Sequence, residues 1–426
     1  MRTIHFDIVN IEAIDSYLYA GNLYVVFADG HIGYVSFDRI IHILRDAYRK
    51  YDNIIQLAFL HNDYTQTPSS TLLLGIQRVR AAVEQEWKEA QNEISLSIDY
   101  HDISRYFHFY GEYHEMPLDM RIYAMRMYLG CKDGLYESRF SQDDKTIVNQ
   151  TNLERVFDSK VVSVNAKYGA IAISADNEGL FSSELSDEDS PIRVSDKPVL
   201  DGRSLRTDWK DVDLLNYGSA SEFSYLHNEY ERTEKQQPFY YQLRKGNEHK
   251  RITEIGIQIE DMMPILDNLQ IQKDEVDYCF NSGGVAFFRL KSGEFFATDF
   301  QSRQGGAYRR EIKEVGRRKK ILSSAVIPNG CVLNYFDQTV MYRDGKSFVL
   351  SEEPAYGIRS YMNAKRYRSI LTVNNEHSLC VFSAETFTPL EPRSEKYEDL
   401  GKVRYSNVFR GKSELKKSGD DFDMPF

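Results

Sequence analysis

Val285-Ala-Phe-Phe-Arg-Leu290, then Lys291-Ser-Gly293, then Glu294-Phe-Phe-Ala-Thr-Asp-Phe300: this stretch decides the fold. Two apolar, β-favouring runs flank a short turn that ends in glycine, which allows the backbone a tight reversal. The same shape recurs along the chain. Leu23 to Phe37 turns at Asp29-Gly30, Ile122 to Phe140 at Lys132-Asp133-Gly134, and Ala170 to Ser183 at Asp176 to Gly179. Val332 to Leu350 turns near Asp337-Gln338 and again at Asp344-Gly345, and Ile370 to Phe382 turns at Asn374 to Glu376. The well-spaced turns lie about 45, 45 and 40 residues apart, and the two remaining gaps, of about 104 and 114, are close to double that period. A period of this length with hairpin content fits an all-β chain, a β-propeller of about seven four-stranded blades, with insertions inflating a gap. Two β-sandwiches, whose hairpins need keep no period, are the alternative.

The 426-residue length alone would suggest two or three domains, but propeller blades need their neighbours to bury their faces. Residues 1–410 therefore form one propeller, with a helical insertion near 70–91 and a flexible acidic tail at 411–426. The 29 Tyr and 24 Phe favour sheets, where broad rings pack between stacked faces. A net charge of −11 argues against nonspecific binding of nucleic acid by the whole surface and leaves open only a local basic face. Cys131, Cys279, Cys331 and Cys380 form no Cys-x-x-Cys pair and read as buried free thiols of a reducing compartment. Met1 to Asp7 shows no secretory signal and no apolar run is long enough to span a membrane, so a cytoplasmic protein without membrane partners is expected.

Taken in order, Thr3 to Val9 alternates as a strand and is expected to close the ring by pairing with Lys402 to Phe409. Ile40, Ile41, Leu44, Ala47 and Tyr48 share one helical face, and a longer helix is expected from Ser70 to Gln91 as an insertion on one propeller face. Asp99 to Glu115 is rich in His, Tyr and acid, but its spacing matches no metal motif, so no metal site is assigned. Ser186 to Asp211 reads as a long loop, and the strand-like pieces Phe239 to Leu243 and Ile252 to Ile259 as a degenerate blade.

Arg303 to Lys320 is the one concentrated basic segment, with Arg303, Arg309, Arg310, Arg317, Arg318, Lys319 and Lys320 as its patch. These side chains suit phosphates or an acidic partner, against the alternative of a solvated loop with a charged face. The chain lacks a glycine-rich phosphate loop, His-Glu-x-x-His and Gly-x-Ser-x-Gly. No nucleophile stands beside a base, so no catalytic residue and no cofactor are assigned.

The chain ends Asp420-Asp421-Phe422-Asp423-Met424-Pro425-Phe426. The Phe426 ring suits an apolar pocket, its carboxylate an arginine and the aspartates a basic rim, with Pro425 lowering the ordering cost. This tail resembles the C-terminal tip of bacterial single-stranded DNA-binding proteins, which typically ends Asp-Asp-Ile-Pro-Phe. Asp423, Pro425 and Phe426 match that tip, Met424 replaces its isoleucine, and Phe422 interrupts the acidic run. The resemblance implies a partner among the DNA replication, recombination and repair proteins that accept such tips. It covers about seven residues, and the rest of the chain does not resemble that family's OB-fold. A disordered acidic end is the alternative. The hairpins resemble WD40-like propellers at blade level only, since the Gly-His and Trp-Asp signatures are missing.

The expected function is a non-catalytic interaction scaffold that holds protein partners and is recruited through its tail. The tail would fit a bacterial DNA-processing or anti-phage defence assembly. The alternatives are a propeller hydrolase with carboxylates around its central channel, and a sensor whose channel binds a small ligand.

Overall fold

The computed structural model describes residues 4–60, 76–93, 96–142, 147–149, 152–185, 190–219, 222–234, 248–299, 309–313, 319–328, 330–343, 345–364 and 366–384. Its strands pair into seven sheets, antiparallel but for one added parallel strand, that form the blades of a closed β-propeller. The inner strands, in blade order, are Ala13–Tyr19, Asp119–Tyr123, Ser163–Lys167, Arg206–Lys210, Val276–Ser282, Ile321–Ile327 and Gly357–Ser360. Each neighbours the next, and the last returns to the first, so the ring encloses a central channel. One ring excludes the two-sandwich alternative.

Second strands are buried on both sides, because each blade lies between two others. Arg126–Gly130, Ala170–Ser174, Gly330–Tyr335 and Ile370–Asn374 are buried at every position. Such strands read as unbroken apolar runs rather than alternating ones, as Ala-Ile-Ala-Ile at 170–173 does. The recurring hairpins found in the sequence are the second and third strands, except that Asp344-Gly345 falls between the third strand of blade 6 and its fourth. The turn at Gly179 has no room for a side chain: its φ is +107°, and a Cβ there would lie 2.5 Å from the Leu200 carbonyl oxygen.

The two long gaps have different causes. The second holds a complete blade, Arg206–Lys210, Asp213–Tyr217, Phe223–Glu234 and Glu248–Asp261, with the longest strands among the described residues rather than degenerate ones. Ile252 to Ile259 lies in its fourth strand, while Phe239 to Leu243 lies outside the described residues. The stretch read as one loop, Ser186 to Asp211, contains the strands Arg193–Val194 and Arg206–Lys210; turn residues and acids flanking them masked both.

The first gap holds no extra blade. It is an insertion between the third and fourth strands of blade 1, His31–Ser36 and His108–Glu112. Helix α1 (Phe37–Ala47) buries Ile40, Ile41 and Leu44 of the expected face, together with Phe37; Ala47 is exposed and Tyr48, past the helix end, is half-buried, and Ser36 caps the helix. Helix α2 (Asp52–Ile55) follows, and α3 (Gln77–Glu93) overlaps the helix expected from Ser70 to Gln91, ending two residues later; Ser70 to Gly75 fall outside the described residues.

The ring closes on a different partner from the one expected. Ile4–Val9 pairs antiparallel with Ser378–Ser383 along all six residues, as the fourth strand of blade 7. Its other edge is taken by Leu96–Asp99 of the insertion, in parallel. With both edges filled, no ladder is left for Lys402 to Phe409, which lie outside the described residues, as does the 411–426 tail.

The starts of the inner strands and the turns between second and third strands share one end of the ring, the entry face. The opposite end, where the insertion leaves blade 1, is the exit face. No helix among the described residues is long and apolar enough to cross a membrane.

All four cysteines are free and buried. Burial pushes the Cys131 and Cys279 thiols up to about 12 and Cys380 higher still. Thiol titration with an aromatic disulfide is therefore expected to detect four groups in denaturant and none in the native state on the timescale of seconds to minutes. A thiol that reacts faster than the protein unfolds would contradict this packing.

Candidate functional site

The inner strands of blades 2, 3 and 4 alternate, with one set of side chains packed between blades and the other left part-exposed. Asp119, Arg121 and Tyr123 share the part-exposed side of blade 2, Ser163, Asn165 and Lys167 that of blade 3, and Arg206, Asp208 and Lys210 that of blade 4. A polar belt results, and it ties blades together.

At the closing seam, Arg359 of blade 7 ion-pairs with Asp15 of blade 1 through Nη2 and with Asp119 of blade 2 at 2.6 Å. Asp119 also accepts the Val164 N–H of blade 3 at 2.7 Å, so one side-chain chain spans four blades. Burial works against the Arg359 charge, but the two carboxylates outweigh it and raise the guanidinium well above its ordinary range. Tyr361 and Tyr367 of blade 7 accept the Leu18 and Gly21 N–H groups of blade 1 at 3.0 and 2.9 Å.

Across the ring, Arg206 of blade 4 donates to the Cys279 carbonyl (2.6 Å) and Tyr278 hydroxyl (2.6 Å) of blade 5, and to Ser324 of blade 6 (3.2 Å). Asp208 lies 3.7 Å from Arg206 and accepts the Asn281 N–H at 3.2 Å. Burial and pairing pull Asp208 in opposite directions. Burial prevails, and its carboxyl is raised above the ordinary 3.8.

Sequence reasoning did not find these channel residues. Their signal was the alternation Asp-Met-Arg-Ile-Tyr at 119–123 and Arg-Thr-Asp-Trp-Lys at 206–210, charge against apolar with period two.

The basic patch is divided. Arg309 donates to the Leu269 carbonyl, pairs with Glu294 at 3.2 Å and lies over the Phe296 ring at 4.9 Å. Lys319 pairs with Asp337 at 2.6 Å. Arg310 and Lys320 are exposed, and Arg303, Arg317 and Arg318 lie outside the described residues. In the Asp99 to Glu115 segment, Asp99 accepts the His101 N–H and His108 stacks on Tyr34. Among the described residues no three possible ligands converge on a metal position.

On the entry face, a cleft of about 240 Å³ opens over the seam of blades 7 and 1. Ala13, Ile14 and Ala28 line it with Tyr356, Glu12, Glu376 and His377. The same face leaves Met116, Leu118, Phe336 and Tyr356 exposed; Phe336 and Tyr356 show 57% and 59% of their surface.

No family model and no curated protein matches the chain. Among solved structures, the WD40 β-propeller domain of Doa1 is similar at 8% identity and a TM-score of 0.44, over 90% of this chain and 97% of that one. The computationally designed Ika8 protein is similar at 6% and 0.42, over 90% and 99%. PorZ of Porphyromonas gingivalis, described as an essential surface component of its type-IX secretion system, is similar at 9% and 0.43, over 89% of this chain and 37% of PorZ. At blade level the chain resembles WD40-like propellers; the fold itself rests on the strand pairing above.

Two predictions test the belt. Arg359→Met is expected to destabilise the protein by about 3–5 kcal/mol, because two part-buried carboxylates lose their cation. Adding Asp15→Asn and Asp119→Asn should recover most of that loss in chemical denaturation. For Asp208, a folded-state pKa above the unfolded value means that the folded state holds the proton more tightly. Its favourable contribution is complete below about pH 3.8 and is lost as pH rises through the folded value. The Asp208→Asn variant should therefore gain stability relative to wild type as pH rises above the ordinary 3.8. A relative loss would mean that pairing with Arg206 outweighs burial.

Proposed function

We propose that the protein is a non-catalytic interaction scaffold whose entry face holds a protein partner. The observation that carries this reading is the set of exposed apolar side chains on that face, Met116 and Leu118 before blade 2, Phe336 in blade 6 and Tyr356 before blade 7, carried by a ring tied by part-buried ion pairs. Exposed aromatic anchors on a rigid frame lose little entropy on binding. The hydrolase alternative needs carboxylates free to exchange protons with a substrate. Asp15 and Asp119 are instead both held by Arg359, which disfavours it.

The finer part of the proposal concerns recruitment. Asp420 to Phe426 would dock on a protein that accepts the tips of single-stranded DNA-binding proteins, placing the scaffold in a bacterial DNA-processing or anti-phage assembly. What supports it is the Asp-Met-Pro-Phe end, with a ring for a pocket and a carboxylate for an arginine. Arg310, exposed on the outer strand of blade 5, and Lys320, exposed just before the inner strand of blade 6, each offer a smaller basic contribution for an acidic or nucleic-acid partner.

A labelled Ser418 to Phe426 peptide is expected to bind such an acceptor, and omission of Phe426 to weaken it by about tenfold or more. Equal binding of both peptides, or none, removes the recruitment proposal. The scaffold proposal is tested separately, by co-purification of the intact protein from its own cells; recovery without any stoichiometric partner counts against it.

A further inference from the structure

We infer that the cleft over the blade 7–blade 1 seam is a docking site for a basic peptide segment, with a lysine or arginine side chain between Glu12 and Glu376 and its stem along Tyr356. This rests on the scaffold reading and names the chemistry of the partner.

Size comes first. At about 240 Å³ the cleft is smaller than a typical cofactor or drug-sized pocket, and it suits one long side chain. Charge comes next. Acids of the channel and of the other entry-face turns mostly meet cations, as Asp15 and Asp119 meet Arg359 and Asp337 meets Lys319. Glu12 and Glu376 have no cation partner among the described residues, and no lysine or arginine lines the cleft. Glu352 and Glu353, exposed a few residues before Tyr356, add to the same sign. An anion would be repelled here, and an apolar group would strip water from two carboxylates without replacing it. A cation satisfies both.

The aromatic ring selects the kind of cation. Tyr356 offers a face for the apolar stem of lysine or arginine and for the charge itself. Asn334 bonds the Ala355 carbonyl (2.9 Å) and accepts the Ala355 N–H (3.1 Å), which ties the turn bearing Phe336 to the segment bearing Tyr356. Phe336 thus provides an apolar contact for a neighbouring peptide residue, which a free metal ion or amine would not use.

The walls are also fixed in advance. Tyr356 N–H bonds the Asn374 carbonyl (2.8 Å), Ala28 N–H that of Glu12 (2.9 Å), and Ile11 N–H that of His377 (3.3 Å). Backbone held in this way needs little ordering when a ligand arrives.

The test uses the full chain and a fluorescein-labelled peptide, Gly-Leu-Arg-Lys-Leu-Arg-Gly, by anisotropy at physiological salt. Binding is expected, and a control peptide with glutamate at the three basic positions should not bind. Glu12→Lys with Glu376→Lys should weaken binding by about tenfold or more, since like charges would face each other. Tyr356→Ala should weaken it by about threefold or more. The double reversal Glu231→Lys with Glu254→Lys, on the outer strands of blade 4, changes net charge equally and should leave the affinity within about twofold, beyond general screening. Equal loss in the two double variants would show attraction by net charge alone and overturn the assignment, as would absence of binding. Melting temperature and the thiol titration verify that each variant is folded. If a partner co-purifies with wild type and with the Glu12→Lys, Glu376→Lys variant alike, the scaffold reading stands and the cleft assignment falls.

Discussion

The structure depends on closing a ring. Each blade has two faces to bury, and an open row of seven blades would leave one face bare at each end. The closing joint combines several bonds at one place. Ile4–Val9 completes blade 7 from the opposite end of the chain, Leu96–Asp99 covers its outer edge, and Arg359 joins blade 7 to blades 1 and 2 on the channel side. Phe6 is fully buried against Phe37 and Phe59, so the closing strand also anchors the insertion. The insertion is therefore a second lock on the seam. Arg366 of blade 7 pairs with Asp38 of α1, tying it to the blade on the other side as well.

How much of this was legible follows from what burial does to sequence. Strands buried on both sides, such as Ala170–Ser174 and Val285–Leu290, carry the apolar runs from which the period and the blade count came. Inner strands were harder. Asp119–Tyr123 and Arg206–Lys210 place charges where a solvated loop would place them, and only the three-dimensional ring turns those charges toward partners in other blades. The closing partner was missed for a related reason. Ser378–Ser383 had already been read as half of a hairpin, and sequence does not show that its far edge is free for Ile4–Val9. The cleft was out of reach, since Glu12 lies at the opposite end of the chain from Tyr356 and Glu376 and meets them only because the ring closes there.

The belt and the cleft use carboxylates in opposite ways. Asp15 begins a chain of ionic contacts through Arg359 and Asp119 that a ligand would have to break, at the cost of leaving charges without partners inside the ring. Glu12, three residues earlier, stands at the mouth with no described cation and remains hydrated until a ligand replaces the water. The gradient from the hydrated acid just before the inner strand of blade 1 to the neutralised acid within it favours recognition at the surface over chemistry in the channel.

That arrangement also links binding to closure. A ligand contacting Glu12 of blade 1 together with Tyr356 and Glu376 of blade 7 bridges the two blades whose separation would open the ring. It binds the closed form and loses half its contacts in an open one, so it stabilises the seam by an amount that grows with ligand concentration relative to its dissociation constant. The reverse also holds, because the clasp that closes the ring sets the distance between the cleft walls. Substitutions at Phe6 or Arg359 would therefore act on affinity without touching the ligand, through the fraction of molecules in which the two walls face each other.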